Sequence, residues 1–290
     1  DSDDWIENNM YEEMLKEIEL NHADLVTSGC IRDYDTHIMF EEENIPAGVY
    51  EGIALQKEIK ERLIEANIFF KSNLSIHIYN KIYLKSKLIA KQMQIDNRIN
   101  IGEDAACVYP YILDSEKIVV MGKSYYHYCI RNDSIMGSPG IEEYKNGLYL
   151  KKLLKKEFLK HGEIKGIINQ YKNIVLYCSL LQYAPKEVIY KDGILVPYGK
   201  IAKTDRIIIY GAGRFGIELH KVLINNGLNV VAWIDKKERE GITKIDNILN
   251  FKFDKILIAV LGADMCNSIL DELHLYGVEF DKIMKVNPYV

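Results

Sequence analysis

At 290 residues and 33.5 kDa the chain has room for two domains, and 48% hydrophobic against 27% charged residues describes a globular protein, not a disordered one. A net charge of −5 supplies no overall basic field, which argues against nucleic acid as the main partner. Five scattered cysteines (Cys30, Cys107, Cys129, Cys178, Cys266) without a C-x-x-C exclude a disulfide frame or a zinc site, and no apolar run approaches the roughly 20 residues that span a bilayer. With neither a signal peptide nor an initiating methionine, the expectation is a soluble cytoplasmic piece of a longer chain.

Apolar positions at helical spacing (Met10, Met14, Leu15, Ile18) predict a helix within 6–22. Residues 23–30 read as a strand running into a turn, and 41–48, acidic and carrying a proline and a glycine, as an exposed loop. Helical stretches are expected at 50–66 and 81–93, then a turn over 100–106 entering another helix through Tyr111. Short strands follow at 117–121 and 125–130, and a polar turn at Arg131-Asn132-Asp133-Ser134.

Ser138-Pro139-Gly140 marks a boundary, beyond which 141–185 is helical in pattern with Leu150, Leu153, Leu154 and Phe158 on one face. Lys145, Lys151, Lys152, Lys155, Lys156 and Lys160 crowd this stretch. They read as the solvated face of a packed helix, or as a basic surface over 141–161 in peripheral contact with anionic lipid.

From Arg206 the pattern changes to alternating strands and helices: strand 207–210, a helix through Leu223, strand 230–234, strand 256–260, helix 269–276 and strand 283–286. That alternation predicts a small parallel sheet with right-handed crossovers. The expected fold class is α/β, with domains at 1–138 and 201–290 joined by a helical linker over 139–200.

Gly211-Ala212-Gly213-Arg214-Phe215-Gly216 lies between a strand and a helix, and Asp235 ends the next strand. A dinucleotide fingerprint has this arrangement: Gly211 for the tight turn, Gly213 for close approach of a pyrophosphate, Gly216 for helix packing and Asp235 for a ribose hydroxyl. The competing reading is that the glycines serve only turn and packing. A nucleotide, a nucleotide-sugar or NAD(P) is the ligand class implied. Hydride chemistry is disfavoured, because no residue of a dehydrogenase proton relay accompanies the turn.

In an extended segment Asp1 and Asp3 of Asp1-Ser2-Asp3-Asp4-Trp5 fall on one side, where two hard oxygen ligands suit Mg²⁺ or Mn²⁺ on a diphosphate; a solvated acidic loop is the plain alternative. This motif is followed in order by Asn80-Lys81-Ile82-Tyr83, Gly102-Glu103-Asp104-Ala105 and Tyr126-His127-Tyr128-Cys129-Ile130-Arg131-Asn132-Asp133-Ser134-Ile135. The series resembles the family 2 glycosyltransferases of the GT-A fold, bacterial enzymes that build capsule, cell-wall and lipopolysaccharide glycans. The resemblance covers about 1–137.

The resemblance implies that Asp1 and Asp3 hold the metal on a nucleotide-sugar donor. It implies that Asp104, with Glu103 second, is the base for a glycan or lipid-linked acceptor, in an inverting transfer. Arg131 and Ser134 would lie near the phosphates. Asp4 and Trp5 border the substrate, although Trp5 is read first as a core plug. His127 is a packed strand residue or approaches the metal. Alone, Glu103-Asp104 would read as a helix N-cap; ahead of its helix, Asp104 is expected to be kept ionised by the helix's positive end. Family members carry a donor-binding half before the D-x-D, so the chain is expected to be a carboxy-terminal part that transfers little by itself.

Overall fold

The computed structural model describes residues 4–34, 37–64, 71–99, 102–129 and 141–287. The fold is mixed α/β and divides into two compact units, Asp1–Glu65 with Ser72–Tyr171, and Ala66–Lys71 with Lys172–Val290.

The first unit is built on two long parallel strands, β2 (Leu25–Tyr34) and β6 (Lys117–Cys129). Before β2 come β1 (Trp5–Ile6) and α1 (Met10–Asn21); after it come β3 (His37–Glu41) and β4 (Gly48–Glu51). A short helical turn α2 (Gly52–Ala54) opens an irregular helical run to Arg62, and β5 (Lys81–Tyr83) and α3 (Lys85–Gln92) follow. On β6, β4 pairs along the first residues and β1 along the last; on β2, β5 pairs along the first and β3 along the last. β1, β6 and the far half of β2 meet at one end of this sheet.

Helical spacing buries Met10, Met14 and Ile18 of α1 against Val26, Val119 and Tyr125, each side chain adding roughly 1.5–3 kcal/mol. Leu15, on the opposite face, is exposed. Helix α4 (Glu103–Asp114) is buried continuously from Ala105 to Leu113, as suits a central helix apolar on every side. Its start is fixed by Gly102, whose φ of 81° is left-handed and at which a Cβ would lie 2.7 Å from Leu150 of α5 (Ile141–Lys160).

The strand expected at 23–30 runs to Tyr34 because β6 and β3 continue to pair with it. The two strands expected at 117–121 and 125–130 are one strand, bent where Gly29 and Ser124 oppose each other with a register shift. Residues 81–83 are strand and not helix, since β2 takes up their hydrogen bonds. The 131–140 segment, with its turn and its boundary signal, lies outside the described residues.

Helix α6 (Ile167–Glu187) carries the division between the units. In the second unit, β7 (Ile189–Lys191), β8 (Ile194–Val196) and β9 (Gly199–Lys200) form a small antiparallel sheet. Then come β10 (Arg206–Tyr210), α7 (Arg214–Asn225), β11 (Asn229–Asp235), β12 (Thr243–Lys244), β13 (Lys255–Ile258), α8 (Ala263–Leu275) and β14 (Ile283–Met284). The sheet is wholly parallel among the described residues, in the order β12-β11-β10-β13-β14. Ile207 to Ile209 and Ile256 to Ile258 are fully buried because helices cover both faces of the sheet. The strand order reverses at β10, so a crevice opens beyond the carboxyl ends of β10 and β13.

Candidate functional site

Residues 4–7 are stitched to the end of β6. The Asp4 carboxylate accepts the Tyr126 hydroxyl at 2.7 Å and the Cys129 backbone N–H at 2.9 Å. Pairing of β1 with β6 sets Trp5 opposite His127, and the two rings stack with centroids 3.4 Å apart and planes 15° apart. Trp5 remains 49% exposed, so it is not the core plug that its size suggested: an edge strand of two residues presents one ring face outward. His127 lies beneath it, buried, with Nδ1 2.9 Å from Asp33 Oδ2 and Nε2 3.2 Å from Glu7 Oε1. Asp33, at the end of β2, and Glu7 were passed over in the sequence, where neither belongs to a spaced motif.

Asp104 is the second residue of α4, inside the first turn and not ahead of it. Gly102 is the N-cap residue, so the carboxylate does not cap the helix; Oδ2 faces the Ile78 backbone N–H at 3.4 Å. Burial and the neighbouring Glu103 raise its pKa above the ordinary carboxylate value, against a downward pull from the Ile78 N–H and Lys81. Desolvation is the largest of these influences, and it acts against ionisation, opposite in sign to the helix dipole.

The 75–80 turn links these two clusters. Ile78 faces Asp104, while the next residue, Tyr79, stacks on Tyr126 with centroids 4.1 Å apart, and Tyr126 holds Asp4. His77 stacks on Tyr79, and its pKa is lowered to about 4 by burial and the nearby Lys81. Of the residues assigned from the sequence, the structure thus links Asp4 to Asp104 by way of Tyr126, Tyr79 and the Ile78 backbone, while Trp5 and His127 stack on the other face of the strands. Asp1, Asp3, Arg131 and Ser134 lie outside the described residues. Among the described residues no group of three or more His, Cys, Asp or Glu side chains is arranged to hold a metal ion.

In the second unit the Gly-rich turn leaves β10 at the strand-order reversal. A Cβ on Gly216 would lie 2.0 Å from the Gly211 carbonyl oxygen, and Gly211, at φ 110°, would bring one within 3.1 Å of the Ala259 carbonyl. Gly213 differs, since a Cβ there meets nothing within 4 Å and its φ of −73° is ordinary. Asp235 turns inward to this loop: Oδ2 accepts the Ala212 N–H at 2.6 Å and Oδ1 the Lys237 N–H at 3.2 Å. The Trp233 indole N–H donates to the Gly211 carbonyl at 2.9 Å and the ring stacks on His220. Beyond β13 a small depression is lined by Leu261, Cys266, Asn267 and Lys285.

No family model matches this chain. Over 135 residues, 47% of its length, the chain is 32% identical to "Glycosyltransferase GlyA" of Streptococcus pneumoniae serotype 4 (strain ATCC BAA-334 / TIGR4). That stretch spans 19% of the pneumococcal protein. The chain is similar to a glycosyltransferase over about half of its own residues. No helix among the described residues is long and apolar enough to cross a membrane.

Proposed function

We propose that the first unit belongs to a metal-dependent, inverting glycosyltransferase of the GT-A fold and family 2, one that moves a sugar from a nucleotide-sugar to a glycan or lipid-linked acceptor in cell-surface polysaccharide synthesis. The observation that carries this reading is Asp104, a half-buried carboxylate raised above its ordinary pKa and aligned by the Ile78 N–H. In an inverting transfer such a group takes the acceptor hydroxyl's proton as the oxygen attacks the anomeric carbon, a contribution of roughly 10²–10⁴-fold. A pKa raised by burial strengthens the carboxylate as a base.

Asp1 and Asp3 are the proposed ligands of a Mn²⁺ or Mg²⁺ ion, which supplies charge neutralisation for the leaving diphosphate. Asp4 suits a different role: with Tyr126 and Cys129 on its carboxylate, it anchors the strand next to Asp3. Trp5 offers a flat apolar face on which a sugar ring can lie. Arg131 and Ser134 would border the phosphates. The similarity to a pneumococcal glycosyltransferase supports this reading. It is tested in the complete transferase, where Asp104→Asn abolishes release of nucleoside diphosphate while donor binding persists; turnover at the parent rate would remove Asp104 as the base.

A second reading concerns the second unit, proposed as a Rossmann-like module that holds a nucleotide or nucleotide-sugar without chemistry. Gly213 favours it: packing accounts for Gly211 and Gly216, whereas nothing inside the protein requires a glycine at 213. Open space at that position, at the start of α7, is what a pyrophosphate approaching the backbone uses. Asp235, engaged by Ala212, orders the turn and keeps spare acceptor capacity for a ribose hydroxyl. Titration of the full chain with nucleotides and nucleotide-sugars, followed through backbone amides of 211–216, tests it; resonances that stay in place mean a structural turn. An NAD(P)-dependent oxidoreductase has no such supporting residue.

Peripheral contact with the cytoplasmic face of a membrane is proposed through α5. Leu148, Lys152, Lys155, Lys156 and Leu159 are all exposed and share one arc of about 100° by helix geometry, and Glu157, the only acid of 147–160, is buried on the far side.

A further inference from the structure

Lys81, the first residue of β5, has a fully enclosed side chain. All three donors of its ammonium group are used, by Ser75 Oγ at 2.8 Å, the His77 carbonyl at 2.9 Å and Asn80 Oδ1 at 2.8 Å. Glu43 Oε1 lies 3.7 Å away, and that side chain is 3% exposed although it belongs to a stretch whose composition predicts an open loop. The Glu43 carboxylate accepts the Thr27 hydroxyl at 2.5 Å, the Ser75 hydroxyl at 3.1 Å and the Ser75 backbone N–H at 2.6 Å. The Asn80 amide donates to the Ser28 carbonyl at 2.5 Å and to Ser75 Oγ at 3.1 Å.

Every one of these contacts ends on the 75–80 turn or on the strand beneath it. A buried ion pair is weak support for stability, since a well-packed apolar pair of the same volume often does as well. What this pair does supply is a set of fixed hydrogen bonds to both ends of the turn, at Ser75 and at His77 and Asn80. That turn presents the Ile78 N–H to Asp104 and Tyr79 to Tyr126.

We propose that Lys81 and Glu43 are positioning residues, which together lock the 75–80 turn and thereby set where the Asp104 carboxylate sits and what field it feels. The proposal rests on the reading of Asp104 as the base. The groups that face this carboxylate are Glu103 and Cys107 from its own helix, and Lys81 and Tyr83 from β5. Lys81 is the cation among them, so its removal leaves Asp104 harder to ionise.

The test is carboxyl-carbon NMR on the full chain, with Asp104→Asn assigning the Asp104 signal. Lys81→Met is expected to move the Asp104 midpoint upward and displace the Ile78 amide resonance. Asp24, held by Lys87 and by the backbone at 116 and 117, is expected to stay put. Lys81→Arg should return both signals part of the way. If Lys81→Met does not fold, the double variant Lys81→Met with Glu43→Leu, which leaves no lone buried charge, is measured in its place. An unmoved Asp104 midpoint and Ile78 amide in the folded variant would overturn the proposal and make the pair a packing element only. These readouts need neither donor nor acceptor, so transfer that survives Asp104→Asn would sink the base and not the placement.

Discussion

Trp5 lies flat on His127, with the ring centroids 3.4 Å apart, and His127 is in turn fixed between Asp33 and Glu7. The stack ties the segment after the acidic motif to the far end of β6. Removing the imidazole leaves two carboxylates facing an empty space and the indole without support. His127→Ala should therefore cost about 1–3 kcal/mol, the penalty for stranding hydrogen-bonding groups, read as a lower denaturant midpoint of the full chain. A midpoint equal to that of the parent would mean that the histidine is not bonded on both sides.

The Asp104 carboxyl has a raised pKa in the folded chain, so the folded state binds its proton more readily than the unfolded state does. The resulting stability is fully present below the unfolded value of about 3.9 and is lost as pH rises through the folded value. Asp104→Asn, permanently neutral, should then be no less stable than the parent near neutral pH. Thermal melts at pH 7 check this, and a clear loss of stability would show that the carboxylate is held by contacts the amide cannot keep. In the complete transferase the acid limb of the pH–rate profile should lie above the value of an unperturbed aspartate.

Gly213→Ala and Gly216→Ala should separate sharply. A methyl at 216 is driven against a backbone carbonyl, so the second unit should lose several kcal/mol or fail to fold. At 213 the methyl enters open space, and the cost should stay near or below about 1 kcal/mol, the usual penalty for alanine at a helix N-cap. Equal melting temperatures for the two variants would refute the packing argument.

The α5 arc should bind vesicles containing phosphatidylglycerol and ignore pure phosphatidylcholine. Changing Lys152, Lys155 and Lys156 to Glu should abolish co-sedimentation without lowering the melting temperature, because all three are exposed. Binding unaffected by the triple change would assign the face to water alone.

Much of the second unit was legible in the sequence, because a parallel strand buried on both faces reads as an unbroken apolar run and the Gly-rich turn marks where one strand ends. Ile207 to Ile209 and Ile256 to Ile258 behave so. The two-residue β12 was not legible, since Thr243 and Lys244 carry no periodicity. In the first unit, Gly122-Lys123-Ser124 reads as a turn, yet β2 keeps the strand continuous there. Asp104 was singled out by its place in an ordered series of motifs. Glu43 was missed because a carboxylate in an acidic stretch reads as solvated, and its burial is offset by Thr27, Ser75 and the enclosed ammonium of Lys81, none of them near it in sequence. Trp5 was misjudged because size argues for burial while pairing at a sheet edge decides against it.

Leu25 on β2 pairs with Ile118 on β6, so roughly 90 residues separate the partners at the centre of the first sheet. The β2–β3 hairpin can form locally, but the β2–β6 pairing at the centre has to close a long loop before it gains anything. During synthesis β2 leaves the ribosome with β3 close behind but no β6 to join, and that edge stays open until Cys129 has emerged. At ordinary elongation rates that wait is on the order of 5–20 seconds. Any product that stops short of Lys117 leaves the β6 side of β2 without its partner, the exposed strand edge from which chains associate wrongly.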